Sequence, residues 1–185
     1  GDDNSTAWLS KQVNHNFEYY RTVAPTCTKS GYDTIKCTDC SAYYRTNYKS
    51  YLGHSYASKV VTKAPTYKST GVFTSTCKRC GAKKTSSISK LANTSITGLT
   101  SLKCGCKISW KKQTSSTGYQ IRYSRYSNMS KSKAYSVTKN TISSKSITKL
   151  SANRKYYVQV RTYRVINGKR YYSAWSTKKA VTTKK

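Results

Sequence analysis

The sequence predicts an all-β chain: two small Cys/His-stapled β repeats followed by a seven-stranded antiparallel sandwich. Three observations carry this. Eighteen Tyr stand against two Phe, with two Pro and one Met, in a background rich in Ser and Thr. Such a composition suits half-buried pleated surfaces better than helices. A set of Cys, His, Gly and Ala-Pro-Thr markers recurs with a period near forty residues in the first half. Finally, seven short runs separated by polar turns fill the second half, with period-two alternation recurring in three of them.

At 185 residues the chain holds two or three small domains more naturally than one large one. We divide it into a leader or linker over 1–14, a first repeat over 15–52, a second over 53–90 and a sandwich domain over 91–185. No run reaches the ~18 apolar residues of a membrane span, so no membrane insertion is expected. The start, Gly-Asp-Asp-Asn-Ser, has neither a basic region nor an apolar core, so a secretion signal is expected to be removed or to lie elsewhere.

Charge is the most lopsided feature. Thirty-five Lys and Arg face five Asp and Glu, a formal net charge of +30. All five acids (Asp2, Asp3, Glu18, Asp33 and Asp39) precede Cys40, and no carboxylate side chain stands beyond it. This excludes paired-carboxylate chemistry from most of the chain, and with only His15 and His54 as imidazole bases it argues against an enzyme. A surface of this sign attracts anionic polymers, or it simply keeps an edge-rich β protein soluble. Because the lysines are dispersed rather than gathered on one groove-matching element, nucleic-acid binding is the weaker expectation.

The repeat is found by aligning the chain with itself. Ala24-Pro25-Thr26 corresponds to Ala64-Pro65-Thr66 at an offset of forty, as do Gly31 to Gly71, Cys37 to Cys77 and Cys40 to Cys80; His15 and His54 are offset by 39. Each unit reads as two or three short strands around tight turns. Forty residues bury too little apolar surface to fold without a staple. Cys37-Thr-Asp-Cys40 and Cys77-Lys-Arg-Cys80 have the C-x2-C spacing at which two thiolates converge on one ion. Structural zinc on His15, Cys27, Cys37 and Cys40 is therefore expected as the first site, with disulfides as the alternative in an oxidising compartment. In the second unit Tyr67 replaces the cysteine, leaving His54, Cys77 and Cys80 one ligand short. Cys104 and Cys106 are the remaining sulfurs and the candidates to complete that set, by metal or disulfide.

The markers His, Ala-Pro-Thr-Cys-Thr-Lys-x-Gly, C-x2-C and Gly-His-Ser-Tyr over residues 15 to about 88 resemble the Cys/His repeats of surface proteins from gut Firmicutes. The resemblance implies non-catalytic spacers or binding modules, with Tyr67 as the departure.

Beyond Leu91 the strand runs are 95–99, 106–111, 118–124, 134–139, 144–148, 155–166 and 171–182, with Ile108/Trp110, Tyr119/Ile121/Tyr123 and Tyr156/Val158/Val160 as the expected core. Ile108-Ser-Trp110, Gly118-Tyr-Gln-Ile-Arg-Tyr123, Leu150 with Tyr156 six residues on, and Tyr172-Ser-Ala-Trp175-Ser resemble a fibronectin type III domain. The resemblance implies that Trp110 and the corner tyrosine Tyr156 are structural, and it brings no catalytic site.

The function expected is a cationic, extracellular adhesion or scaffold module on the surface of a Gram-positive bacterium or secreted from it. Its partners would be anionic wall polymers or polysaccharides and other domains of a larger parent protein. The alternative is carbohydrate binding through exposed Tyr43, Tyr44, Tyr171, Tyr172 or Trp175, since such rings stack on sugars.

Overall fold

A computed structural model describes residues 14–185; the expected leader over 1–14 lies, apart from Asn14, outside the described residues. Every regular element described is a β-strand. Among the described residues no helix is long and apolar enough to cross a membrane.

The two sequence repeats fold alike. In the first, β1 (Phe17–Val23), β2 (Gly31–Cys37) and β3 (Tyr43–Lys49) form an antiparallel sheet in that order. In the second, β4 (Val60–Lys63), β5 (Gly71–Thr76) and β6 (Lys83–Ile88) do the same. The shared markers explain the shared form. Pro25 and Pro65 cannot donate to a ladder and stop the first strand. The hydroxyl of Thr26 accepts the N–H groups of Thr28 and Lys29 at 3.3 and 3.0 Å, and Thr66 does the same for Lys68 and Ser69 at 3.1 and 2.9 Å. The chain then returns so closely that a Cβ on Gly31 would lie 2.6 Å from the Val23 carbonyl and from Pro25, and one on Gly71 2.6 Å from the Lys63 carbonyl. Only glycine fits there, which is why it recurs with the Ala-Pro-Thr turn.

The chain divides into two compact units that do not coincide with the sequence repeats. One comprises the first repeat, continuing to Ala57, together with Thr76–Ala82; the other comprises Ser58–Ser75 and Lys83–Lys185.

The second unit contains the sandwich. One sheet has the order β11-β8-β7, from Ser144–Ile147, Gly105–Trp110 and Ile96–Leu102. The other has the order β10-β9-β12-β13, from Lys133–Val137, Gly118–Ser124, Lys155–Ile166 and Lys169–Tyr172, with β14 (Lys179–Thr182) also paired to β12. Successive strands cross between the sheets after β8, after β10 and after β11, the Greek-key path of a fibronectin type III-like sandwich. The expected alternating side chains fill the space between. Ile108, Tyr119, Ile121, Val158 and Val160 are wholly buried, with Trp110, Tyr123 and Tyr156 nearly so. The Ser151 N–H donates to the Tyr156 hydroxyl at 3.2 Å, the expected corner.

One strand expectation needs correction. The run 171–182 is two strands, because the segment from Ser173 to Ser176 leaves the ladder. Its serine hydroxyls take over, accepting the N–H groups of Thr162 and Val160 at 3.0 Å each, while the N–H groups of Ser173 and Ser176 donate to the carbonyls of those two residues.

Cys106 lies in this core with no exposed surface, and burial pushes its thiol up to about 11. Cys104 sits in the β7–β8 turn at a φ of 44°, half-buried, its N–H and carbonyl bonded to Lys184 and Leu150. Their roles here are packing and turn formation, and among the described residues neither joins a ligand cluster.

Candidate metal centres

Each C-x2-C pair closes a knuckle at the end of a strand. The N–H of Cys37 bonds the Ala42 carbonyl at 2.9 Å, and that of Cys77 the Ala82 carbonyl at 2.8 Å, so both pairs turn back in the same way. Backbone N–H groups then point at sulfur, from Asp39 to Cys37 and from Ala42 to Cys40, each at 3.4 Å. In the second knuckle Gly81 takes a φ of 74°, a conformation glycine adopts without strain. The histidines approach from the start of each unit: Nδ1 of His15 lies 3.3 Å from Cys40 Sγ, and Nδ1 of His54 lies 3.3 Å from Cys80 Sγ.

Cys27 does not join the first knuckle. It completes the second: Cys27, His54, Cys77 and Cys80 bring one ligand atom each within 4.8 Å of one another, while His15, Cys37 and Cys40 form a three-ligand group. The physical reason is the turn that carries Cys27. The Thr26 carbonyl accepts the N–H of Leu52 at 2.8 Å, which places the turn beside the segment leading to His54. Arg79, inside the second knuckle, holds the same segment by donating to the carbonyls of Leu52 and Gly53 at 3.2 Å each. The cysteine of the first sequence repeat therefore faces the histidine of the next, and the second set, expected to be short of a ligand, has four. Tyr67, at the place of Cys27, is 40% exposed and supplies no ligand atom.

The distances fit a tetrahedral ion. Two thiolates on zinc with bonds of about 2.3 Å stand roughly 3.8 Å apart, and a thiolate and an imidazole nitrogen about 3.5 Å apart. Cys27 Sγ and Cys77 Sγ are separated by 3.8 Å. No pair among the seven cysteines is bonded as a disulfide. Electrostatics distinguish the sulfurs. Burial opposes ionisation of Cys77, yet N–H groups of Cys80 and Arg79, the His54 ring and Ser55 outweigh it and bring the thiol down to about 5. Burial and then the adjoining thiols Cys80 and Cys77 push Cys27 up to about 11. For Cys37 burial is likewise outweighed, by Asp39, His15 and Cys40, and the thiol comes down to about 7. A divalent cation would remove this disparity, since it binds each sulfur as thiolate.

The residues expected to bind sugars separate into two groups. Tyr43 is 62% exposed and lines an open cleft of about 360 Å3 on the first sheet with Tyr20, Arg21, Tyr32, Lys36 and Arg45. Register puts Tyr43 opposite Lys36 and Arg45 opposite Thr34, on one face. Arg45 lies 4.3 Å from the Tyr32 ring centre and Lys36 5.4 Å from that of Tyr20. Tyr44, one residue on, turns to the opposite face and packs edge-on against Phe17. In the sandwich, Trp175 is already engaged: the guanidinium groups of Arg122 and Arg161 lie 4.3 and 4.2 Å from its ring, and Arg161 also lies 3.9 Å from Tyr172. Each arginine is fixed by two hydrogen bonds to a glutamine, Gln159 for Arg122 and Gln120 for Arg161. Tyr172 and Trp175 thus form a structural ladder with these arginines. Tyr171 is half-buried, with Lys169 5.7 Å from its ring. The cleft cations were not among the residues singled out from sequence; three alternate residues on neighbouring strands, Tyr32, Lys36 and Arg45, were the available signal.

No protein-family model and no curated protein matches the chain. Similar solved structures include one titled as a myokine structure, 18% identical with a TM-score of 0.41, covering 52% of this chain and 100% of that one. The FN1-FN3 domains of chicken CNTN1 are 16% identical with a TM-score of 0.46, covering 86% and 67%. An Fn3-like protein from Clostridium thermocellum is 20% identical with a TM-score of 0.36, covering 48% and 91%. The structural neighbours thus include fibronectin type III-like domains; the sandwich described above rests on its own strand order and register.

Proposed function

We propose that the chain is a non-catalytic, extracellular adhesion and scaffold module of a Gram-positive bacterial surface or secreted protein, stapled by zinc in its Cys/His repeats and adhering to anionic wall polymers. The observation that carries the adhesive part is the cleft of the first sheet, where Tyr20, Tyr32 and Tyr43 are interleaved with Arg21, Lys36 and Arg45. Rings give stacking area, and fixed cations meet phosphate or carboxylate groups. The +30 net charge draws such polymers in from a distance. The zinc sets hold small units that lack a large core.

The test is a titration of the zinc-loaded chain with purified wall teichoic acid at several salt concentrations, alongside a Lys36→Gln/Arg45→Gln variant. The expected result is an affinity that falls steeply with salt, and a several-fold loss in the variant with a shallower salt dependence. Equal binding by variant and parent would place adhesion elsewhere or reduce it to overall charge.

A second reading, binding of a neutral glycan, is favoured by one feature of the same cleft: Tyr20 and Tyr43 are 57% and 62% exposed. A glycan array at high salt separates the two, because stacking survives there and charge attraction does not. Nucleic acid is the weaker candidate, since the cleft gathers three cations and offers no base-reading element.

A further inference from the structure

The two metal clusters are unequal, and the inequality obeys a rule visible in the backbone. Each Ala-Pro-Thr turn presents its threonine carbonyl to the segment that opens the next unit. Thr26 accepts the N–H of Leu52 at 2.8 Å, and forty residues later Thr66 accepts that of Leu91 at 2.9 Å. The residue after the threonine is therefore delivered forward. After Thr26 it is Cys27, and the next unit carries a His/Cys/Cys set that this cysteine completes. After Thr66 it is Tyr67, and the next unit is the sandwich, which has no such set. A cysteine stands in the turn where the next unit can use it and is replaced where the next unit cannot.

Applied backward, the same rule explains the first cluster. His15, Cys37 and Cys40 repeat the geometry of His54, Cys77 and Cys80, down to the 3.3 Å from Nδ1 to the second sulfur. Among the described residues they lack only the forward-delivered thiolate. Two of these three residues are exposed, so the fourth position is open to a group from outside.

We propose that His15, Cys37 and Cys40 form a metal-binding acceptor whose fourth ligand is the cysteine thiolate of an Ala-Pro-Thr-Cys turn from another repeat of the same kind. The cluster is then an interaction site: zinc joins consecutive repeats through one thiolate given and three ligands received. This rests on the repeats' being metal-bound, and the experiment separates the two ideas.

A second copy of residues 15–53 is inserted between Asn14 and His15 of the full chain, which keeps the spacing from the inserted turn to His15 equal to that from Cys27 to His54. Cobalt(II) titrations compare the parent, the extended chain, and the extended chain carrying Cys→Ser in the inserted turn. Near-ultraviolet thiolate charge-transfer bands and visible bands report the ligands. In the parent, one tight centre and one weaker centre are expected, the weaker one lost in Cys37→Ser/Cys40→Ser. In the extended chain two tight centres and one weak one are expected, the converted centre binding at least tenfold more tightly and gaining one thiolate's absorption. The inserted Cys→Ser variant should reverse that gain. Failure of the parent to bind cobalt at all would overturn both the metal reading and this proposal. Two parent centres of equal affinity, or an extended chain whose middle centre stays weak, would overturn the proposal alone. An Asp2→Asn/Asp3→Asn parent that loses its weaker centre would likewise overturn it, by placing the fourth ligand within the chain.

Discussion

Cys27 and Cys77 are fifty residues apart in sequence, yet their sulfur atoms lie 3.8 Å apart. Neither the C-x2-C spacing nor the repeat alignment pairs them. The pairing is produced by the Thr26 carbonyl and Arg79, both of which hold the segment at Leu52 and Gly53.

Removing that sulfur should affect only one centre. Cys27→Ser is expected to weaken zinc at His54, Cys77 and Cys80 by at least tenfold, since even residues that merely orient a ligand cost about 10- to 100-fold when mutated. Binding at His15, Cys37 and Cys40 should be unchanged. Competition with a chromophoric chelator checks this, and loss of affinity at the first centre instead would return Cys27 to its own repeat.

The fold was legible in sequence wherever one residue type has one physical use. Alternation at Tyr119, Ile121 and Tyr123 marked a buried face, and all three are buried. Gly31 and Gly71 were legible as repeat markers, and the structure supplies their reason, a backbone approach too close for a Cβ. The partner of Cys27 was not legible, because a repeat alignment gives equivalence between units and says nothing of which unit a turn serves. The strand break at Ser173–Ser176 was hidden for a related reason. Serine hydroxyls that accept main-chain N–H groups leave the alternation of side chains looking like one strand.

The glycine marker yields its own expectation. In Gly31→Ala the new Cβ would meet the Val23 carbonyl and Pro25 at 2.6 Å, and both contacts are backbone or ring atoms that cannot swing away. Overpacking of this kind costs about 1–3 kcal/mol. The first unit of the zinc-loaded chain should melt earlier, with zinc affinity at the Cys27-containing centre reduced because the Ala-Pro-Thr turn shifts. A melting profile identical to the parent would show that the turn yields without cost.

Tyr156 anchors the corner of the sandwich. Tyr156→Phe keeps the ring in the core and removes the acceptor of the Ser151 N–H. A single hydrogen bond of this type contributes about 0.5–1.5 kcal/mol. For a domain of this size that corresponds to a fall of about 4–8 °C per kcal/mol in the sandwich's melting temperature. Calorimetry of the variant should show that fall with metal content unaltered.

Alkali should destabilise the sandwich through two buried acids. Burial holds Cys106 protonated up to about 11, against its ordinary 9.0. Burial, and then the hydrogen bond with Tyr135, raises Tyr123 to about 12 from 10.0. Both folded-state values lie above the unfolded ones, so the neutral forms support folding. Their contribution is complete below pH 9 and is lost as pH rises towards 11 for the thiol and 12 for the phenol, because the unfolded chain releases those protons first. Lysine discharge over the same range alters stability too, but equally in a Cys106→Val variant, which is close in volume and has no proton to lose. Urea midpoints for parent and variant should therefore keep a constant gap up to about pH 9, after which the parent loses ground until about pH 11. A gap that stays constant to pH 11 would mean that the Cys106 thiol ionises in the fold as easily as in the unfolded chain, which its complete burial in the core argues against.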